Sequence, residues 1–228
     1  MSLDVEDCPP LESGQRLSSD EFMRRYEAMP EVENAELIDG VVHLASPVST
    51  GFHGEPHATL NGWLFTYYVR TPGLHLSDNS TTLLDARQVP QPDCILFINS
   101  EFGGRCQMNA QGYVLGPPEL AVEISASTES YDLGAKFRAY ERNGIREYLV
   151  WRVLDATIDW YELQGASYVP LAPDADGTMR SRVFPGLWLD VAALLRGDLL
   201  TVVETLGRGL ESAEHAGFVR ELRKSEGK

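Results

Sequence analysis

Two short apolar runs decide how this chain is read: Pro92-Asp-Cys-Ile-Leu-Phe-Ile98 and Glu119-Leu-Ala-Val-Glu-Ile-Ser125. Both are short for a helix and too continuously apolar for a strand with one face in water, which marks strands buried on both faces. Each carries an acid, Asp93 at the opening of the first and Glu123 in the middle of the second. Ionised carboxylates are rarely buried without a partner, so both need an explanation. If the strands are neighbours, the two acids meet, and two like charges in one dry site raise a pKa unless a cation neutralises them. Hard oxygen ligands on a rigid sheet suit Mg²⁺ or Mn²⁺. The residues alone leave a second reading open, in which Asp93 caps a turn and Glu123 faces water on an edge strand.

Outward from these runs the pattern is mixed. Ser18 or Ser19 before Asp20 and Glu21 starts a short amphipathic helix that ends by Pro30. Glu36-Leu-Ile-Asp-Gly-Val-Val-His-Leu44 centres on Asp39-Gly40, the preferred pair for a type I′ hairpin turn. Leu60, Leu64 and Tyr67 or Tyr68 repeat at helical spacing after Pro56, which predicts a helix near 56 to 70. Short strands follow at 74–77 and 81–84, and residues 99 to 118 read as a long surface connection. After Glu119–Ser125 a helix capped at Ser127 or Thr128 runs to Asn143-Gly144, then strands at 147–151 and 157–161 and a further pair beyond them. From Asp190 the chain is helical and acidic. The order predicts one mixed α/β domain over 18–195, with a flexible tail at 1–17 and an acidic helical extension at 196–228.

Absent signatures narrow the chemistry. There is no GxSxG elbow, no phosphate loop, no dinucleotide GxGxxG and no HExxH. His53 and His57 lie four apart, but Gly54 and Pro56 between them argue against one helix presenting both, which disfavours a zinc half-site. Cys8, Cys94 and Cys106 lack CxxC pairing and read as reduced thiols. No stretch approaches the roughly 18 apolar residues of a membrane span, and the acidic start Met1–Pro10 has no apolar signal core, so a cytoplasmic protein with no membrane partner is expected. The net charge of -15 opposes non-specific nucleic-acid binding. Arg138, Arg142, Arg146 and Arg152 fall in one stretch that reads either as a local basic surface or as a solvated helix face.

Lysine usage adds a clue. The chain has 19 Lys and Arg together, yet its lysines are Lys136, Lys224 and Lys228, the last two at the C-terminal end. Lys136 is therefore the lysine of the folded body, set beside the face made by Leu133, Phe137 and Tyr140. A compact ammonium differs from a guanidinium in shape and in being able to release a proton.

The frame Glu36-Leu-Ile-Asp-Gly40, Ser46-Pro47, His57 with Leu60 and Leu64, Pro92-Asp93, Val122-Glu-Ile-Ser125, Asp132 to Lys136 to Tyr140, and Gly144-Ile-Arg-Glu-Tyr148 resembles the Uma-two family of restriction-endonuclease-like proteins, within the PD-(D/E)xK nuclease superfamily. The resemblance spans roughly 18 to 195. It implies a restriction-endonuclease-like core, a central mixed β-sheet flanked by helices, with a divalent metal held by Asp93 and Glu123. The superfamily's E-x-K would place lysine at Ser125; in the resembling family it has moved to the next helix, matching Lys136. Glu36 matches an additional acid of the superfamily, and His57 a recurrent family histidine of unassigned role. The implied activity is phosphodiester hydrolysis of nucleic acid, with DNA the expected substrate. Asp93, Glu123 and the Ile124 carbonyl would hold Mg²⁺ or Mn²⁺, with Glu36 as an outer or second-site ligand. Lys136 would orient water or stabilise phosphate charge, and Tyr140 would hold Lys136 or touch phosphate. A homodimer is expected, as restriction-type nucleases pair subunits to address both strands. The alternative is a catalytically silent scaffold that binds nucleic acid or protein.

Overall fold

In the computed structural model, residues 8–45 and 49–226 are described. Residues 1–7 of the expected tail, the Ser46-Pro47 motif and Lys228 lie outside them. Helix α1 (Ser19–Glu27) starts where Ser18 accepts a hydrogen bond from the Glu21 N–H, with acids in its first turn and Arg24 and Arg25 in its last. It packs on the hairpin β1 (Ala35–Ile38) and β2 (Val41–Leu44). Asp39 and Gly40 both take positive φ, 54° and 74°, as a type I′ turn requires. The segment before α1 is a strap: the Gly14 and Leu17 N–H groups bond to the Val42 and Gly40 carbonyls, and Leu11 is buried.

Helix α2 (Glu55–Tyr68) buries Leu60, Trp63, Leu64 and Tyr67. The main sheet then forms from β3 (Leu74–Asp78), β5 (Cys94–Ile98), β8 (Leu120–Ser125), β9 (Glu147–Arg152), β10 (Thr157–Gln164) and β11 (Ser167–Pro170), in the spatial order β11-β10-β9-β8-β5-β3. Only β8 and β9 run parallel; the other pairs are antiparallel. That parallel pair needs a crossover, supplied by α3 (Glu129–Tyr131), a π turn at Asp132–Lys136 and α4 (Phe137–Asn143). Every residue of β5 and β8 is buried, as central strands covered on both faces should be.

One face of the sheet packs against α2 and the C-terminal elements: β12 (Thr178–Arg180), β13 (Trp188–Asp190), α5 (Val191–Leu195), α6 (Leu199–Leu210) and α7 (Ala213–Ser225). The other face packs against the α4 region through Ala139, Tyr140 and Tyr148. The extension at 196–228, which carries as many basic as acidic residues rather than the acidic excess expected, supplies Val202, Leu206, Leu210 and Leu222 to the first of these cores.

The connection from 99 to 118 is more structured than the surface loop expected from its Gly, Asn and Gln content. It contains a 3₁₀ turn at Ser100–Phe102 and strands β6 (Gln107–Met108) and β7 (Val114–Leu115), and β7 pairs with β4 (Thr82–Leu83). Cys106 and Val114 are buried, which anchors it. Gly104 permits the close approach, since a Cβ there would sit 1.6 Å from the Ile98 carbonyl oxygen.

Candidate active site

The antiparallel register of β5 and β8 pairs Leu96 with Leu120, Ile95 with Ala121 and Cys94 with Val122. One step further along, Asp93 falls opposite Glu123. The two sequence-predicted acids are thus brought together at the end of the central strand pair, and both are buried.

Asp93 is held from three directions. Its Oδ2 accepts a 2.6 Å hydrogen bond from the Ile124 N–H, which ties it to the residue after Glu123. Its Oδ1 lies 3.3 Å from His53 Nε2. The His57 Nε2 sits 2.9 Å from the Asp93 carbonyl oxygen, so His57 fixes the main chain beneath the carboxylate.

Glu123 points to the crossover. Its Oε1 accepts from Lys136 Nζ at 2.9 Å and from the Tyr140 hydroxyl at 2.8 Å. Tyr140 therefore braces the carboxylate that Lys136 pairs with, rather than the lysine itself. Lys136 Nζ also lies 3.0 Å from Glu36 Oε1 and 3.9 Å from Asp132 Oδ1, and 5.4 Å above the Tyr131 ring. Glu36, carried on β1, accepts in addition from the Gln91 N–H at 2.7 Å and the Tyr131 hydroxyl at 3.2 Å. Asp132 is fixed by the Thr128 hydroxyl at 2.5 Å.

The electrostatics follow from one buried ammonium among several carboxylates. Burial pushes Glu123 well above the ordinary carboxyl range; Lys136 pulls it back only in part, and Asp93, Asp132 and Glu36 push further. Burial also raises Asp132 against the pull of Lys136. For Lys136 burial favours the neutral amine, yet Glu123, Glu36 and Asp132 together hold its pKa well above normal, so it stays charged. His53 is raised first by its contact with Asp93, against burial, with a further contribution from the Ile124 carbonyl.

The carboxylates gathered here are hard oxygen donors. Lys136 cannot neutralise Glu123, Glu36 and Asp132 together, and the excess negative charge must be met by protons or by a second cation. The Lys136 and Tyr140 bonds to Glu123 both fall on Oε1, and among the described residues no group of three or more His, Cys, Asp or Glu side chains is arranged to hold a metal. Asp93 and Glu123 are two such side chains, and a main-chain oxygen such as that of Ile124 is the kind of donor that completes a magnesium-type set.

Two π turns among the described residues deliver site groups. The one at Thr50–Gly54 carries His53 and continues directly into α2, and the one at Asp132–Lys136 carries both of its named residues. The first overturns the expectation that Gly54 and Pro56 keep one helix from presenting both histidines. Pro56 lies in the first turn of α2, where no donor is missed, and both rings reach Asp93, 5.8 Å apart. The sequence reading assigns no role to Tyr131 or Asp132, and it weighs His53 only as half of a disfavoured zinc site. For Asp132 a signal existed in its spacing of four from Lys136, whereas the pairing of Glu36 with Lys136 spans the fold. Of the four clustered arginines, Arg142 pairs with Asp39 at 2.5 Å and Arg152 with Asp159 at 2.7 Å, while Arg138 and Arg146 are exposed.

Comparison with known proteins agrees with this architecture. No curated protein matches the chain. The crystal structure of a putative nuclease belonging to DUF820 from Anabaena variabilis ATCC 29413 matches with a TM-score of 0.51 and 16% identity, over 70% of this chain and 87% of that one, which shows a shared fold. Among the described residues no helix is long and apolar enough to cross a membrane. Residues 19–192 match the Uma2 family, described as "Putative restriction endonuclease", and the chain belongs to that family.

Proposed function

We propose that this chain is a divalent-metal-dependent nuclease that hydrolyses phosphodiester bonds of nucleic acid, with DNA as the substrate and Mg²⁺ or Mn²⁺ as the cofactor. The observation that carries this reading is the buried ammonium of Lys136 held among Glu123, Glu36 and Asp132 where β5 and β8 bring Asp93 beside Glu123. Asp93, Glu123 and the Ile124 carbonyl would hold the ion. When bound there, the ion supplies Lewis acidity and charge stabilisation worth several kcal/mol.

The chain's own groups do the rest. His57 and the Ile124 N–H fix Asp93 in place, so its carboxylate is set before substrate arrives. Tyr140 holds Glu123 Oε1 and so fixes the carboxylate that would act as a donor. Lys136 presents a fixed positive charge toward the phosphate or the attacking water, and Glu36 orients that ammonium. A homodimer would set two such sites against the two strands of a duplex; sedimentation showing a monomer at micromolar concentration would remove that part alone.

A Mn²⁺-dependent cleavage assay on duplex DNA, single-stranded DNA and RNA tests the reading. Cleavage that disappears in Asp93→Asn and in Glu123→Gln, with duplex DNA the preferred substrate, is the expected result. The net charge of -15 favours a second reading, a catalytically silent scaffold. Calorimetry separates the two, because a scaffold shows no saturable Mn²⁺ binding that depends on Asp93 and Glu123.

A further inference from the structure

Resting on the nuclease reading, we infer that the tip of the β1–β2 hairpin and the exposed face of α4 form the surface that leads duplex DNA to the site, with Arg16, Arg87, Arg138 and Arg142 as its phosphate contacts. A nucleic acid extends beyond the phosphate that is cut, so its strands have to cross the protein beside Lys136. On a chain of net charge -15 most of the surface repels them.

The two sides of the site differ in how arginine is matched by acid. Beside Ser125 at the end of β8, Arg152 pairs with Glu129, Asp155 and Asp159, so that its charge is outnumbered. At the hairpin the balance is reversed. Arg142 Nη2 lies 2.5 Å from Asp39 Oδ1, and Arg87 Nη2 donates at 2.5 Å to the Asp39 carbonyl oxygen. The Arg16 main chain pairs with Val41 just past the turn, and Arg138 precedes Arg142 by one turn of α4. All four arginines are exposed. Asp85 is the other acid in contact, its Oδ1 accepting the Arg87 main-chain N–H at 2.7 Å. Among the described residues, Arg142 is the member of this group that forms an ion pair.

The same two elements meet at the site. Glu36, three residues before Asp39, and Lys136, six residues before Arg142, lie 3.0 Å apart at Oε1 and Nζ. At a rise of about 1.5 Å per residue, Arg142 stands roughly 9 Å further along the crossover than Lys136, about the span of two to three phosphates on one strand. An arginine fork carries several N–H donors, and the bond that Arg87 and Arg142 each give to Asp39 leaves the others for phosphate oxygens.

Fluorescence anisotropy of a labelled DNA duplex of about 20 base pairs, in CaCl₂ over a series of salt concentrations, tests the surface on the full chain. The proteins are the parent, Arg87→Gln with Arg138→Gln, Arg87→Lys with Arg138→Lys, and Arg220→Gln with Arg223→Gln, the last an equal change of charge on α7 across the sheet. We expect the slope of log affinity against log salt to flatten by about 1.8 in the first glutamine pair, roughly 0.9 per lost phosphate contact, with affinity at low salt down about tenfold or more. The lysine and α7 pairs should match the parent. Lysine keeps the charge but loses the fork that braces Asp39, which separates phosphate contact from support of the turn. Turnover of bis(4-nitrophenyl) phosphate with Mn²⁺, a diester too small to span from the site to the arginines, should be unchanged in all three pairs. An unchanged slope in Arg87→Gln with Arg138→Gln, an equal flattening in the lysine or α7 pair, or no duplex binding by the parent overturns the inference, and turnover of the small diester then leaves the nuclease reading standing. The expected slopes without any hydrolysis keep the surface and remove the nuclease reading.

Discussion

At the scale of single residues the decisive group is Lys136, a charge that sits in the protein interior because three acids share it. Removing one partner of a buried ion pair is more costly than never having built the pair, since the remaining charge has no water to turn to. Lys136→Ala should therefore lower stability by about 3 kcal/mol or more in chemical denaturation, and saturating Mn²⁺ should restore part of that loss. In the cleavage assay the same variant should lose most activity while still binding metal, and Lys136→Arg should rescue it poorly because the planar fork does not fit a place shaped for an ammonium. Parental activity in Lys136→Ala would refute the lysine's role. Tyr140→Phe removes one donor from Glu123 without opening a cavity, and a cost of about 1–3 kcal/mol is expected for a buried acceptor that loses a partner.

At the scale of elements, the β1–β2 hairpin matters to the site because it brings Glu36 to Lys136. Its turn depends on Gly40 at φ 74°, where an added Cβ would stand 3.2 Å from the Leu17 carbonyl oxygen. Gly40→Ala should cost about 1–2 kcal/mol from the left-handed backbone alone. It should also slow cleavage without abolishing metal binding; unchanged melting temperature and rate would show that the hairpin is not tied to the site. This hairpin was readable in advance because Asp39-Gly40 is a local signal, and β5 and β8 were readable because continuous apolar runs announce burial on both faces. The link between hairpin and crossover was not, since Glu36 and Lys136 meet only after the sheet has formed. The position of His53 was misread for a different reason. Gly54 and Pro56 look like helix breakers, but a wide turn that leads into a helix uses Pro56 at the one place where its missing N–H costs nothing.

At the scale of the whole molecule, a further buried acid, Glu147, lies away from the site. Glu147 accepts from the Ser181 hydroxyl at 2.7 Å and from the Arg182 and Val183 N–H groups at 2.6 and 3.1 Å, joining β9 to the chain after β12. Burial lifts its pKa from 4.5 to about 7 even against these donors. The folded state thus holds the proton more tightly than the unfolded one. Its contribution to stability is complete below about pH 4.5 and is lost as pH rises through about 7, for a total on the order of 3 kcal/mol. Glu147→Gln keeps the neutral shape, so between pH 5 and 8 its denaturation free energy should fall less steeply than that of the parent. Equal slopes would mean that Glu147 does not carry this dependence. The C-terminal helices add a separate expectation: because Val202, Leu206, Leu210 and Leu222 enter the core on the α2 side, truncation after residue 195 should lower the melting temperature sharply rather than trim a free appendage.

The opposition of Asp93 and Glu123 is a matter of counting. In a pleated strand each added or missing residue turns every later side chain to the other side of the sheet. A single-residue deletion between Ala121 and Glu123 would aim the carboxylate away from Lys136, while the exposed turn at Asn109–Gly112 could change length without disturbing either strand. Relatives of this protein should therefore differ in length at that turn and keep constant length through β5 and β8, a record of permitted gaps that would trace the site without any knowledge of its chemistry.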